Sequence, residues 1–180
     1  MIKDLKIAVS GRSGCGNTTV SKMVADSLGL RFINFTFRSI AGERGLDLNE
    51  ILLIASKDDS IDREVDSRQI SLAREDGGCV LGSRLAIWML EEADLKVYLY
   101  AAAEVRAKRI ISRESGNLED VAAFTAQRDK QDHDRYLRIY NIDTDIYDFA
   151  DLIIDTDNKT PREITDIIAK KAKTTERRND

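Results

Sequence analysis

Three glycines fall within six residues in Gly11-Arg12-Ser13-Gly14-Cys15-Gly16, and Asn17-Thr18-Thr19 follows them. An apolar run from Leu5 to Ser10 leads into this loop, and a helical pattern leads out of it. Glycines let the backbone wrap closely and turn its N–H groups inward, and a helix amino end adds partial positive charge. Together these make a cradle for phosphate oxygens. Gly11, Ser13, Gly14, Cys15, Gly16, Asn17, Thr18 and Thr19 are therefore candidates to hold a nucleotide's phosphates. The Thr18 hydroxyl stands where it can ligate magnesium. A lysine usually adds a point charge to such a cradle, and Asn17 occupies that position without one. Either another cation replaces it, or the loop binds nucleotide without turning it over.

Arginine is the second chemical signal, with 17 Arg against 11 Lys. Its planar fork suits phosphate. Arg106, Arg109 and Arg113 recur at i, i+3, i+7 along one helix face, as Arg128, Asp132 and Arg135 do at i, i+4, i+7. The two sets bracket a turn expected at Gly116-Asn117. Each arginine alone could sit on a solvated face with ion pairs. Two aligned sets beside a phosphate loop predict a helical lid over it. Arg68 shares the apolar stripe of Ile61, Val65 and Leu72, so it either snorkels outward or points into a phosphate-filled cleft, and the cleft is the preferred reading. Arg38 opens a helix after the second strand, and Arg84 follows the third strand. A cation near a helix start favours an anionic partner there.

Other candidates carry less. His133 lies among charged residues of a helix and reads as exposed. Trp88 and Met89 read as core. No cluster of Cys, His and carboxylates has zinc-ligand spacing.

The elements that must position these groups alternate. Strands are predicted at Leu5–Ser10, Leu30–Phe35, Cys79–Leu81, Leu95–Tyr100 and Leu152–Ile154. Helices are predicted at Thr18–Leu28, Phe37–Glu43, Leu48–Ser56, Ile61–Glu75, Leu85–Glu92, Ala103–Arg113, Leu118–Tyr140 and after Pro161. Such alternation implies a parallel sheet covered on both faces, with ligands beyond the carboxyl ends of the strands. Gly11, Asn34, Gly82, Ala101 and Asp155 mark that edge.

At 180 residues and 42% apolar content, the chain is expected to be one domain, 1–173, with a lid at about 104–140 and a disordered tail at 174–180. A net charge of −4 supplies no global field toward nucleic acid or anionic lipid. Cys15 and Cys79 read as reduced thiols, and no targeting or spanning segment is visible, so a cytoplasmic location is expected.

The ordered set of motifs resembles the cytidylate kinases, especially the short archaeal-type form, within the P-loop nucleoside-monophosphate kinases. The carriers are Ser10 to Thr19, Ile61-Asp62-Arg63-Glu64-Val65-Asp66-Ser67-Arg68-Gln69, Arg84-Leu85-Ala86 with Trp88, and Ala93-Asp94-Leu95-Lys96. Val105-Arg106-Ala107, Arg109-Ile110, Arg135-Tyr136 with Tyr140, Ile142-Asp143 and Tyr147-Asp148 extend the match. The resemblance covers Ile7 to about Ile168. It implies an α/β P-loop three-layer sandwich, with a five-stranded parallel sheet in order 2-3-1-4-5, helices on both faces and a small helical lid. It implies transfer of the γ-phosphoryl group of ATP to CMP or dCMP, with magnesium, in a chain expected to act as a monomer. By resemblance, the loop would hold ATP, and Arg38 and Arg84 would clamp the acceptor's phosphate. Arg109 and Arg113 would reach ATP from the lid, and Arg128 and Arg135 would reach the transferring group. Asp132 would help hold the cytosine or orient an arginine. Two positions depart from the family. Asn17 replaces the loop lysine, a position that is commonly threonine in archaeal-type members. Gly82 stands where the family usually has an acidic residue, leaving an acid such as Asp66 to serve. These departures keep open a nucleotide-binding protein with weak or no transfer, used for sensing or interaction, and a related kinase with another acceptor.

Overall fold

The computed structural model of the chain describes residues 2–114 and 117–179. The expected turn at Gly116 and the Arg113 side chain lie outside what is described. Five strands, β1 (Lys6–Gly11), β2 (Arg31–Ile33), β3 (Cys79–Gly82), β4 (Leu95–Tyr100) and β5 (Leu152–Asp155), form one sheet. All pairings are parallel and the order is β2-β3-β1-β4-β5, as the resemblance implied. Among the described residues, eight α-helices accompany the strands: α1 (Asn17–Leu28), α2 (Phe37–Arg44), α3 (Leu48–Ala55), α4 (Ser60–Arg74), α5 (Ala86–Met89), α6 (Ala103–Glu114), α7 (Leu118–Tyr140) and, after the last strand, α8 (Pro161–Asn179).

β1 lies at the centre, so both its faces are buried and its sequence is nearly continuously apolar. Ile7 and Val9 pack with Val20 and Val24 of α1 and with Ile164 and Ile168 of α8. Ala8 points the other way, with Leu81 and Tyr98, onto Ile70 and Ala73 of α4 and Ile87 of α5. A satellite cluster of Ile40, Ile51, Ile61 and Val65 joins α2, α3 and α4. The register pairs Val9 with Gly82 and Gly11 with Leu99. It thereby lines up the carboxyl ends of β1, β3 and β4 along one edge.

β2 is half the length expected, Arg31–Ile33 in place of Leu30–Phe35, and two helices also differ from expectation. α5 has four residues, not the eight of Leu85–Glu92. Leu90 leaves helical geometry at φ −92°, ψ 76°, and its side chain is fully buried. α8 continues to Asn179, through most of the segment expected to be disordered. Its Lys, Arg and Glu residues are good helix formers, and Thr174 and Thr175 donate hydroxyl bonds to the Lys171 carbonyl at 2.7 and 3.2 Å. Among the described residues, no helix is long and apolar enough to cross a membrane.

Candidate active site

The phosphate loop joins β1 to α1 at the edge where a parallel sheet binds ligands. Gly14 has φ +86°, and a β-carbon on it would stand 2.9 Å from the Cβ and carbonyl oxygen of Arg106. Only glycine meets both conditions. α6 grips the loop from that side. Arg106, almost fully buried, donates to the Ser13 carbonyl at 3.0 Å and pairs with Asp129 of α7 at 2.7 Å. Arg109 donates to the Gly14 carbonyl at 3.4 Å and to the hydroxyl and carbonyl of Thr156 at 3.0 and 2.5 Å. The loop conformation is therefore held from outside as well as by its glycines.

The Asn17 amide donates to the Gly11 carbonyl at 2.7 Å, and its Oδ1 is buried without a hydrogen-bond partner. The side chain thus braces the loop. Thr18 and Thr19 are exposed at the first turn of α1 and line the cleft. Cys15 is buried, and burial pushes its thiol up to about 11, so it is no nucleophile at neutral pH.

A cleft of about 1050 Å³ opens beyond the loop. Arg12, Arg38, Arg84, Arg109, Arg128, Arg135 and Lys159 line it, against the carboxylates of Asp62, Asp66 and Asp132. That excess of positive groups suits polyphosphate. Arg38 and Arg128 have no ion pair or hydrogen-bond partner among the described residues. Arg84, just past β3, pairs with Asp132 of α7. Arg135 also meets Asp132, at 2.8 Å, and its guanidinium lies over the Tyr136 ring at 5.1 Å. Its Nε stands 3.2 Å from Oδ1 of Asp62. Asp62 and Asp66 lie one turn apart on α4, and burial raises both carboxyl pKa values, that of Asp66 to about 6. Tyr140 donates to Asp66 at 2.8 Å.

The structure thus brings together the loop residues with Arg38, Asp66, Arg84, Arg109, Arg128, Asp132 and Arg135. Arg68 stands apart, outside the cleft lining. It is exposed, pairs with Glu43 of α2 at 2.9 Å, and covers the Phe35 ring at 5.0 Å. Its position on the apolar stripe is explained by that ring, along which its stem lies outward. Sequence reasoning passed over Asp62, Gln69 and Lys159. A carboxylate on the buried stripe of α4 was the signal for Asp62. Lys159, which donates to the Asp155 carbonyl at 3.0 Å, lies in a loop without periodicity.

The model of the cytidylate kinase-like family matches residues 6–158 of the chain. The chain is 49% identical over 168 residues to a protein named cytidylate kinase 2 from Borreliella afzelii (strain PKo), covering 91% of this chain and 94% of that one. It is 42% identical over 171 residues to a cytidylate kinase from Pyrococcus horikoshii, covering 93% and 88%. In fold it is similar to a shikimate kinase from Bacteroides thetaiotaomicron, with a TM-score of 0.60, 17% identity, and coverage of 93% and 95%.

Proposed function

The chain belongs to the cytidylate kinase-like family, and from that premise we propose how its cleft works. The reaction is transfer of a phosphoryl group from ATP to CMP, which makes the chain a nucleoside-monophosphate kinase. One observation carries the residue assignment: the phosphate loop faces Arg38, Arg84, Arg109, Arg128 and Arg135 across a single cleft. A protein that only held nucleotide would have little use for so many guanidinium groups in one cleft, two of which, Arg38 and Arg128, have no partner among the described residues.

The loop from Gly11 to Thr19 takes ATP, its N–H groups and the α1 amino end facing the phosphates. Arg109 approaches ATP from α6, and Arg113, whose side chain lies outside the described residues, is assigned with it by the family resemblance. Arg38 and Arg84 hold the acceptor's phosphate, and Asp66 faces the acceptor. Arg128 and Arg135 meet the charge that develops on the transferring group. The acceptor phosphate is already ionised, so positioning and charge stabilisation suffice without a strong base. Asp132 keeps Arg84 and Arg135 paired until the acceptor's phosphate competes for them. Arg68 drops out of the assignment. α6 and α7, about 104–140, act as a lid on a single domain, 1–173, and exclude water on closing. The same contacts extend to dCMP, since the arginines read phosphate.

The residues present fit magnesium. The Thr18 hydroxyl is exposed at the loop with no hydrogen-bond partner among the described residues, and magnesium characteristically keeps its waters and binds through phosphate oxygens. When bound, magnesium neutralises phosphate charge. Thr18 is the residue that would hold it. The two buried, free thiols suit the cytoplasm, and the chain is expected to act there as a monomer.

Asn17, turned toward Gly11, and the missing acid at Gly82 favour a second reading, a nucleotide binder with weak transfer. Measuring ADP formation from Mg–ATP with and without CMP decides between them. Strong stimulation by CMP supports the kinase. Equal slow formation in both supports the binder.

A further inference from the structure

Asp62 is 2% exposed, an unusual place for a carboxylate. It sits on the face of α4 that carries Ile61, Val65, Gln69 and Ile70, yet it also lines the cleft. A buried acid persists only where a partner compensates for lost hydration. That partner is Arg135, whose Nε is 3.2 Å from Asp62 Oδ1. The contact is an ion pair that falls short of a hydrogen bond. Arg135 Nε and Asp62 Oδ2 are both buried with no hydrogen-bond partner. Two such orphans on facing, oppositely charged groups mark an interaction not yet completed. A small rotation of the guanidinium would bring Nε onto the carboxylate.

Arg135 is constrained on its other sides too. Nη2 donates to Asp132 at 2.8 Å, and Tyr136 lies under the guanidinium plane. Nη1 makes no hydrogen bond among the described residues, so it is available to a ligand. A planar group with five donors serves phosphoryl transfer only if its plane is fixed. Asp132 cannot fix it alone, because it also holds Arg84 and would be displaced when the acceptor's phosphate competes for the two arginines. Asp62 comes from a different helix and makes no second ion pair among the described residues.

We propose that Asp62 is a positioning residue, which fixes the Arg135 guanidinium for phosphoryl transfer once Asp132 yields to the acceptor. The inference rests on the reading that Arg135 meets the transferring group. The other explanation is that Asp62 only ties α4 to α7. That tie has further contacts. Arg138 pairs with Asp59, Tyr140 donates to Asp66, and Arg63 donates to the Ile139 carbonyl at 3.1 Å. Removing Asp62 leaves all three.

The test is a double-mutant cycle on the full chain, with steady-state kinetics for CMP and Mg–ATP. Asp62→Asn keeps the shape of the side chain and is the primary variant. Asp62→Ala is the second. Each should lower kcat by about 10-fold to 100-fold, as for a misplaced catalytic group, with both KM values changed less than about 2-fold. In the Arg135→Ala background, Asp62→Asn should lower kcat no further, because the two residues act as one unit. The inference falls if Asp62→Asn keeps wild-type kcat, or if its loss persists in full in the Arg135→Ala background. If Arg135→Ala itself keeps wild-type kcat, the reading of Arg135 falls and the inference with it. If Arg135→Ala loses activity while Asp62→Asn does not, only the role of Asp62 is overturned.

Discussion

Gly82 and Ser21 are packed so closely that a β-carbon on the glycine would stand 2.6 Å from the serine Oγ and 2.7 Å from its Cβ. Both residues are buried, and the Ser21 hydroxyl has no hydrogen-bond partner. An acidic residue two places before the strand-end arginine, as the family resemblance implied, therefore has no room here. Gly82→Asp should destabilise the fold by about 2 kcal/mol or more, from overpacking and a buried charge. Urea unfolding checks this. An unchanged midpoint would show that α1 yields easily.

The arginines of the cleft divide by the step they serve. Arg128→Ala and Arg135→Ala should each lower kcat by roughly 100-fold while ATP still binds, because they meet charge present mainly in the transition state. Arg84→Ala should instead raise the KM for CMP. Arg138 is the control, since it pairs with Asp59 outside the cleft lining. Steady-state kinetics with parallel ATP titrations separates these outcomes. If the Arg128 and Arg135 variants behave like Arg138→Ala, the arginine assignment fails.

Asp66 makes folding stability depend on pH. Its folded pKa of about 6 lies above the usual carboxyl value of 3.8 because burial disfavours the charge. Between those values the folded state holds a proton that the unfolded state has released. Stability from this group is thus full below about pH 4, falls as pH rises toward 6, and levels off above it. The total is on the order of 3 kcal/mol. Asp66→Asn, which can still accept from Tyr140, removes the dependence. Its stability relative to wild type should therefore rise between pH 4 and pH 6.5. A pH-independent difference in urea midpoints would contradict the assignment.

Both thiols should resist alkylation in the native protein. Cys15 and Cys79 are buried and burial raises both pKa values. At pH 8, iodoacetamide should label them far more slowly in buffer than in denaturant. Rapid native labelling of Cys15 would mean that the phosphate loop opens readily.

Much of this arrangement was legible in the chain because it is local. Strand, glycine loop and helix follow one another directly, so Gly11 to Thr19 could be placed before any tertiary contact was known. Arg128, Asp132 and Arg135 share a face by helical period alone. The sheet order was available only through the family resemblance, since periodicity does not rank strands. Arg68 shows where local pattern stops. Its stripe was visible, but not the Phe35 ring that covers it or Glu43 from α2, which are contacts across 25 or more residues. Arg106 was grouped with the lid arginines, yet Asp129 and the Ser13 carbonyl hold it in a structural tether. Helix spacing assigns a face but does not say which neighbour waits there.

The central claim is tested most directly by the specificity constant for each acceptor. ADP release from Mg–ATP should be followed with CMP, AMP, GMP and UMP in turn. The account predicts that CMP gives the highest kcat/KM. A clear preference for AMP would overturn the acceptor while leaving the kinase, and no stimulation by any of the four would contradict phosphoryl transfer at this cleft.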